Sequence, residues 1–223
     1  LQNKAGNFVL KIILKPSSLE KRAFFIPPIR MKPASASDKE HFVTILSKAF
    51  DSNLSVNEVV IQDARRLDRI KVLMDYSFEI AFEKNGAWQS EDGDAVLLGY
   101  YPIADKTTLK DFWQMGRLAF KAVGISRVRH VRKREKYIHK HHPKTPHFYL
   151  WFLGVDPSCQ GQGKGGLLLN DLQAYCGQEG LPIILETSTS ANLPFYQKHG
   201  FTVYHEWQVR EGYTVWFLKW EEQ

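Results

Sequence analysis

The chain has 223 residues, 43% of them apolar, and a formal charge of +6 from 30 Lys and Arg against 24 Asp and Glu. This excludes a disordered tail or a collagen-like repeat and fits one large domain with a real core. The modest positive excess favours anionic partners, a nucleotide cofactor as readily as nucleic acid. The two cysteines, Cys159 and Cys176, point to a reducing compartment rather than a disulfide framework. No apolar run approaches the ~18 residues of a membrane span, so no membrane partner is expected and the expected location is the cytoplasm.

Residues 1–25 read as an N-terminal extension, with Phe8–Leu14 as a candidate added strand broken by Lys11, and residues 26–223 as one domain. Ile29 to Lys32 alternates apolar and basic, which predicts a strand. Ser37 or Asp38 is placed to cap a helix through Phe50, with Phe42, Ile45, Leu46 and Ala49 on one face. Asp63 to Asp75 reads as a helix with Ile61, Leu67, Ile70, Leu73 and Met74 turned inward. Phe78–Phe82 and Ala95–Tyr101 read as strands, with Asn85-Gly86 and Asp92-Gly93 in the turn between them. Lys106 to His142 is a helical insert in two or three pieces, broken near Gly124 and strongly basic at its end. His147–Val155 is almost wholly apolar and aromatic, as a strand buried on both faces should be. A glycine-rich loop at 161–166 leads into a helix to about Gly177, with Leu168, Leu172, Tyr175 and Cys176 in one stripe. Pro182–Glu186 is a second buried strand, Asn192–His199 a short helix closed by Gly200, and Phe201–Val209 with Tyr213–Trp220 a closing hairpin. The order of elements implies a single α/β or α+β domain.

The strongest chemical signal lies between Val155 and Gly166. Glycines at 161, 163, 165 and 166 let a ligand approach the backbone, and a helix start offers unpaired N–H groups and the positive end of a dipole. That is an anion site suited to a pyrophosphate; the plain alternative is a glycine-rich cap. A P-loop is excluded because Gly163-Lys164 is followed by Gly165 and not by Ser or Thr. Gly161, Gly163 and Gly166 match the spacing of a dinucleotide fingerprint, with Glu186 in the acidic position. Pro157 and polar residues separate that loop from its strand, however, and too little chain follows Glu186 for a doubly wound domain.

Gln160-x-x-Gly163-x-Gly165 resembles the pyrophosphate loop of GNAT acyltransferases, and Asn192 through Phe201 resembles the second signature of that superfamily. The stretches His141–Pro143, Pro146–Leu150 and Leu185–Ser188 are similar to puromycin N-acetyltransferase and its relatives. The resemblance implies a GNAT-like central mixed sheet, mostly antiparallel, with parallel strands 4 and 5 splayed around the pantetheine arm of acetyl-CoA and helices on its flanks. It implies cofactor contacts from Leu153, Gly154 and Val155 by strand-like pairing, and from Gln160, Gly161, Gln162, Gly163, Lys164 and Gly165 at the pyrophosphate. Asn192, Tyr196 and Lys198 would complete the cofactor site.

The implied reaction is acetyl transfer by direct attack of an amine on the thioester. Tyr196 is the candidate general acid, because a phenol with an ordinary pKa of about 10, above the thiol's 8.5, carries a proton to donate; its other reading is a core tyrosine. Glu186 ends a buried strand at the splay and is a candidate base, against a structural hydrogen bond to Thr187 or Ser188. His147 titrates in the right range for a base, and also fits a cap after Pro146. Trp113, in the insert, is the tryptophan expected to touch substrate. The basic run Arg127–Lys144 holds Tyr137 as its only aromatic, a poor match to a nucleic-acid groove, and reads as a solvated face or as a lid over the acceptor. His139, His141 and His142 lack an acid or thiol at ligand spacing, so no metal is expected. The expected function is therefore acetylation of a small-molecule primary amine by a monomer or homodimer. A non-catalytic acyl-CoA-binding module and a protein N-acetyltransferase are the alternatives, the long insert arguing against the open groove that the latter requires.

Overall fold

The computed structural model describes residues 30–102 and 109–222. The expected N-terminal strand at Phe8–Leu14 lies outside the described residues, as does the start of the insert. Seven strands form one sheet: β1 (Lys32–Pro33), β2 (Ala87–Gln89), β3 (Ala95–Tyr100), β4 (Phe148–Val155), β5 (Ile183–Thr187), β6 (Thr202–Arg210) and β7 (Tyr213–Trp220), in the order β1-β2-β3-β4-β5-β7-β6. Every neighbouring pair is antiparallel except β4 and β5, which are parallel.

Helices cover both faces. Strand alternation sends Val96 and Leu98 of β3 toward α1 (Lys39–Ala49) and α3 (Arg66–Glu83), and Ala95 and Leu97 toward α6 (Lys164–Gln178). The first layer is closed by Phe42, Ile45 and Leu46 of α1 and by Ile70, Met74 and Phe78 of α3; the second by Leu168, Leu169, Leu172 and Cys176. The insert contributes α4 (Leu109–Leu118), a π-helical turn at Ala119–Val123, a 3-10 turn at Ile125–Arg127 and α5 (Val128–His141). The expected break falls at Gly124, whose φ of 82° is a conformation that glycine adopts without strain.

Four details depart from expectation. Phe78–Phe82 is not a strand but the last turns of α3, where Ser77, Phe78 and Ala81 continue the buried stripe of Ile70, Leu73 and Met74. The segment satisfies either period locally, and packing against α1 decides, with Phe78 set edge-on to Phe42 at 5.1 Å. Leu67, expected inward, lies on the same stripe but in the first turn of α3, and it is 53% exposed. The hairpin partner of β3 is instead Ala87–Gln89, and a further helix, α2 (Leu54–Val59), follows α1 with the Asn53 side chain accepting the Val56 N–H at 3.1 Å.

A β-bulge bears directly on the site. Leu98 pairs with Phe152 and Gly99 with Leu150, leaving Trp151 as an extra residue in β4. A side chain at 99 is barred, since a Cβ there would lie 2.4 Å from the Phe148 ring. The extra residue shifts the alternation of β4: Phe148 and Leu150 face α6, whereas Phe152 packs on the opposite layer.

Candidate active site

Strands β4 and β5 pair only at Phe148 with Ile183 and Tyr149 with Ile184. Beyond those residues β4 pairs on with β3, and β5 with β7, so the edges of β4 and β5 that face each other part. A cavity of about 970 Å³ opens at the parting. Its wall includes Leu153, Gly154 and Val155 of β4, Gln160, Gly161, Gly163, Lys164 and Gly165 of the loop and α6, and Asn192 and Tyr196 beyond β5. The volume suits a cofactor-sized ligand. The loop closes on itself through Asp156, whose carboxylate accepts the Ser158 N–H at 2.9 Å. Gly161 and Gly163 hold φ of 78° and 79°, and a Cβ on either would meet nothing within 4 Å. They are therefore required by conformation and by approach from outside, not by internal packing. Gly163 is the N-cap of α6, so the first N–H groups of that helix point into open space beside them.

Lys164 is oriented by acids from the β2–β3 turn. Its ammonium bonds Asp92 at 2.7 Å and also Asp94, and these bonds raise its pKa while holding the Asp92 carboxyl well below the usual carboxylate range. Gln162 and Lys198 are exposed and outside the wall of the cavity.

A second cavity, of about 380 Å³, adjoins the first. The two share Phe50, Asn53, Leu153, Ser188, Asn192 and Tyr196. Asn192 donates to Thr187 Oγ1 at 3.4 Å, which ties it to the end of β5. The Tyr196 ring is fixed between Phe195 and Phe201, with centroids at 5.1 and 5.6 Å. Among the described residues its hydroxyl has no hydrogen-bond partner. Burial pushes its pKa up to about 12, so the proton is retained throughout the neutral range.

Glu186 lines the second cavity with only 8% of its side chain exposed. Neither Thr187 nor Ser188 holds it. His142 Nε2 lies 2.8 Å from one carboxylate oxygen, and the Tyr149 hydroxyl donates to the other at 2.8 Å. An ionised carboxylate accepts about four hydrogen bonds, so two directions remain. Burial, and then Glu186 itself, raise the pKa of Tyr149 well above the usual phenol range, which keeps this donor protonated.

His147 is outside both cavities. Its Nδ1 bonds the Thr145 carbonyl at 2.8 Å, its ring stands edge-on to His142 at 5.9 Å, and burial lowers its pKa. This places it behind the Glu186 cluster. Trp113 is 73% exposed on α4 and lines neither cavity. The tryptophan that does line the second cavity is Trp151, brought there by the bulge. Among the described residues no group of three or more His, Cys, Asp and Glu is placed to hold a metal ion.

Sequence reasoning passed over His142 and Tyr149, the two partners of Glu186. Both lie in the stretch at 141–150 that carries the resemblance, but nothing local marks them as neighbours of residue 186. The basic segment divides by face. Arg129, Arg132, Lys133, Lys136 and Lys140 are exposed, whereas Val131, Arg134, Glu135 and Ile138 of the same helix wall the second cavity.

The family described as Acetyltransferase (GNAT) domain matches residues 120–203. An uncharacterised N-acetyltransferase of Schizosaccharomyces pombe is 43% identical over 54 residues, which are 24% of this chain and 22% of that protein. The matched stretch thus spans under a quarter of either chain. The fold is shared more widely. A Corynebacterium glutamicum crystal structure described as histone acetyltransferase HPA2 and related acetyltransferase is 20% identical, with a TM-score of 0.64 over 86% of this chain and 96% of that one. A mosquito protein described as arylalkylamine N-acetyltransferase like 5b is 13% identical, with a TM-score of 0.55 over 86% of this chain and 99% of that one. The fold is that of the GNAT acetyltransferases, a mostly antiparallel mixed sheet with β4 and β5 parallel, and the family match and the relative support an acetyltransferase domain within it.

Proposed function

We propose that the protein transfers the acetyl group of acetyl-CoA to the primary amine of a small molecule, by direct attack of the nitrogen on the thioester. The observation that carries this reading is the meeting of the two cavities at Tyr196 and Asn192, where β4 and β5 part. The larger cavity takes the cofactor, with the backbone edge of Leu153–Val155 along the pantetheine and the N-terminus of α6 at the pyrophosphate. The smaller takes the acceptor.

Glu186 receives the proton of the incoming ammonium, and the free amine attacks the carbonyl carbon. As the carbon–sulfur bond breaks, Tyr196 donates to the leaving sulfur and is reprotonated by the second proton lost from nitrogen. The balance is one ammonium and one thioester in; one amide, one thiol and one proton out. A phenol near 12 is a weak donor toward a thiol that is ordinarily near 8.5, but the surroundings that raise the phenol raise the thiol as well. Tyr196 therefore acts first as a hydrogen-bond donor to the developing thiolate and completes the transfer late. His147, behind His142, helps to set the position of the carboxylate.

The side chains of α5 wall the second cavity and leave it open, which supports an enzyme over a non-catalytic binding module. With two free cysteines and no described helix long and apolar enough to cross a membrane, the reading includes a cytoplasmic monomer or homodimer. The resemblance of His141–Pro143, Pro146–Leu150 and Leu185–Ser188 to puromycin N-acetyltransferases is a reason to include aminonucleosides among the amines tried. The test is thiol release from acetyl-CoA across an amine panel. Absence of release with every amine, together with no thermal shift from millimolar acetyl-CoA, would overturn the proposal.

A further inference from the structure

We propose that the acceptor is a compact primary amine with an aromatic body, bound as its ammonium at Glu186 with its ring against Trp151. This rests on the reading of the second cavity as the acceptor site and narrows the substrate from any small amine to one chemical class.

Size comes first. About 380 Å³ is near the lower end for small-molecule sites, and the space is roofed by Val131, Arg134 and Ile138 of α5. A peptide lying across the surface would not use it.

The charges of the wall come next. Two carboxylates line the cavity, Glu135 and Glu186. Glu135 is matched by the adjacent Arg134, 2.6 Å away, and that pair carries no net charge. Glu186 has no lysine or arginine partner among the described residues; its neighbours are the His142 ring and the Tyr149 phenol. The other titratable groups around it are His147 just before β4, His139 on α5, Tyr100 on β3 and Tyr204 on β6. Of these, Tyr100 and Tyr204 have their pKa raised by burial, then by Glu135 and Glu186 in Tyr100 and by Glu186 in Tyr204. No lysine or arginine among the described residues is paired with Glu186, and a single cation answers it. A polyamine would bring further positive charges with no further unpaired carboxylate to meet them, and desolvating those charges is costly.

The remaining wall selects the body. Tyr76, Tyr100, Tyr149 and Trp151 form an edge-to-face array, with centroids at 6.4 Å for Tyr76–Trp151, 5.8 Å for Tyr100–Trp151 and 5.3 Å for Tyr100–Tyr149. Lys84 already stands over the Tyr100 ring at 6.0 Å, so Trp151 and Tyr149 are the rings left for a ligand. Aromatic faces attract both a cation and the positive edge of another ring. Beyond them Val56, Val59, Leu73, Ile80 and Leu118 add an apolar stretch of wall suited to the body of the ligand, while Asn53, Ser188 and Asn192 lie where the two cavities meet. The bulge at Trp151 is what turns this ring into the cavity from the strand that also borders the cofactor groove.

The experiment measures kcat/KM at saturating acetyl-CoA for phenethylamine, tryptamine, spermidine, puromycin and a lysine-containing hexapeptide. Phenethylamine and tryptamine are expected to exceed spermidine and the peptide by at least about 100-fold, combining one desolvated ring and one matched charge. In the parent protein, 2-phenylethanol should bind at least about 10-fold more weakly than phenethylamine, because it lacks the charge-assisted bond to Glu186. Trp151→Leu should lower kcat/KM for phenethylamine by about 10-fold and leave the acetyl-CoA thermal shift in place. Release with spermidine or the peptide but not with the aromatic amines overturns this inference and leaves acetyl transfer standing. Equal binding of the alcohol and the amine also overturns it. No release with any amine and no acetyl-CoA shift removes the functional reading, and the inference falls with it.

Discussion

The two cavities are built of different material. The larger cavity, proposed for the cofactor, takes in backbone: the freed edge of β4, the left-handed glycines at 161 and 163, and the N-terminus of α6. The smaller, proposed for the acceptor, is lined by residues of α2, α3, β3, β4, α5 and β5, which meet only after folding. A backbone site is tuned by which residues are absent, and glycine is the means. A side-chain site is tuned by which residues are present. Substitutions should therefore act in opposite ways: adding atoms should break the first, and removing a charge or a proton should break the second.

The largest effect is expected from adding a carboxylate to the groove. Gly163→Glu places a negative charge at the start of α6, where the pyrophosphate would sit. It should abolish the stabilisation by acetyl-CoA, which at a hundred times the dissociation constant is about 2.7 kcal/mol. The left-handed φ at 163 adds about 1–2 kcal/mol of strain for a side chain of this kind. Gly163→Asn separates the two causes, since asparagine tolerates that region and carries no charge. The Asn variant should keep most of the thermal shift. Equal loss in both variants would show that conformation, not charge, governs the groove.

In the acceptor cavity the corresponding change is Glu186→Gln, which keeps the shape and removes the base. Turnover at neutral pH should fall by roughly 10³-fold, within the range of general base catalysis, with the acetyl-CoA thermal shift unchanged. The rate should recover as pH rises toward the amine's own pKa of about 10, because free amine then no longer needs a base. A variant that loses cofactor binding as well would mean that the His142–Glu186–Tyr149 cluster supports β5 and not the chemistry.

The same difference in material explains how much could be read beforehand. Part of the larger cavity's wall comes from two short stretches, at 160–165 and 192–196, that stand out in the sequence as motifs. The parallel pairing of β4 with β5 is what the resemblance carried by these residues implies, and the break at Gly124 follows from local pattern. The acceptor cavity does not. Trp113 stands out in sequence as the aromatic of a variable insert, yet it is 73% exposed, while Trp151 enters through a bulge that depends on contact between Gly99 and Phe148. Glu186 is visible as an acid ending a buried strand, but its partners are 44 and 37 residues away in the chain. Phe78–Phe82 fails for a related reason: the packing of α3 on α1 selects one of two periods that the segment satisfies equally.

Tyr196 stands on the boundary of the two cavities and should give a smaller loss. Tyr196→Phe keeps the ring between Phe195 and Phe201 and removes only the proton, so turnover should fall by about 100-fold with cofactor binding nearly intact. Water at the joined cavities partly replaces the phenol, which sets the low end of the range. The pH profile sharpens the assignment. Because burial holds the phenol protonated to about pH 12, kcat should rise with amine deprotonation and then stay level through pH 10. A descending limb near pH 9, lost in the Phe variant, would mean that Tyr196 ionises far earlier than its surroundings imply.

The smallest effect is expected on the outer face of α5, where one helix separates the two kinds of residue most cleanly. Arg129, Arg132 and Lys133 are exposed, whereas Arg134 of the next position is nearly buried, bonded to Glu135 and 3.4 Å from the Tyr213 hydroxyl. Replacing the first three with alanine removes three charges from solvent and no described contact. Surface charges of this kind contribute about 0–1 kcal/mol, and alanine is the best helix former, so the fold and the acceptor cavity should survive. The affinity for acetyl-CoA should stay within a few-fold at 0.15 M salt, where screening acts over about 8 Å. Arg134→Ala, by contrast, leaves Glu135 without its partner at the cavity wall and should shift the amine preference toward a second positive charge, with the affinity for the cofactor unchanged. If the triple variant instead lost cofactor affinity steeply, and the loss vanished at high salt, the outer face of α5 would belong to the cofactor groove, and the division of the site into a backbone half and a side-chain half would no longer hold.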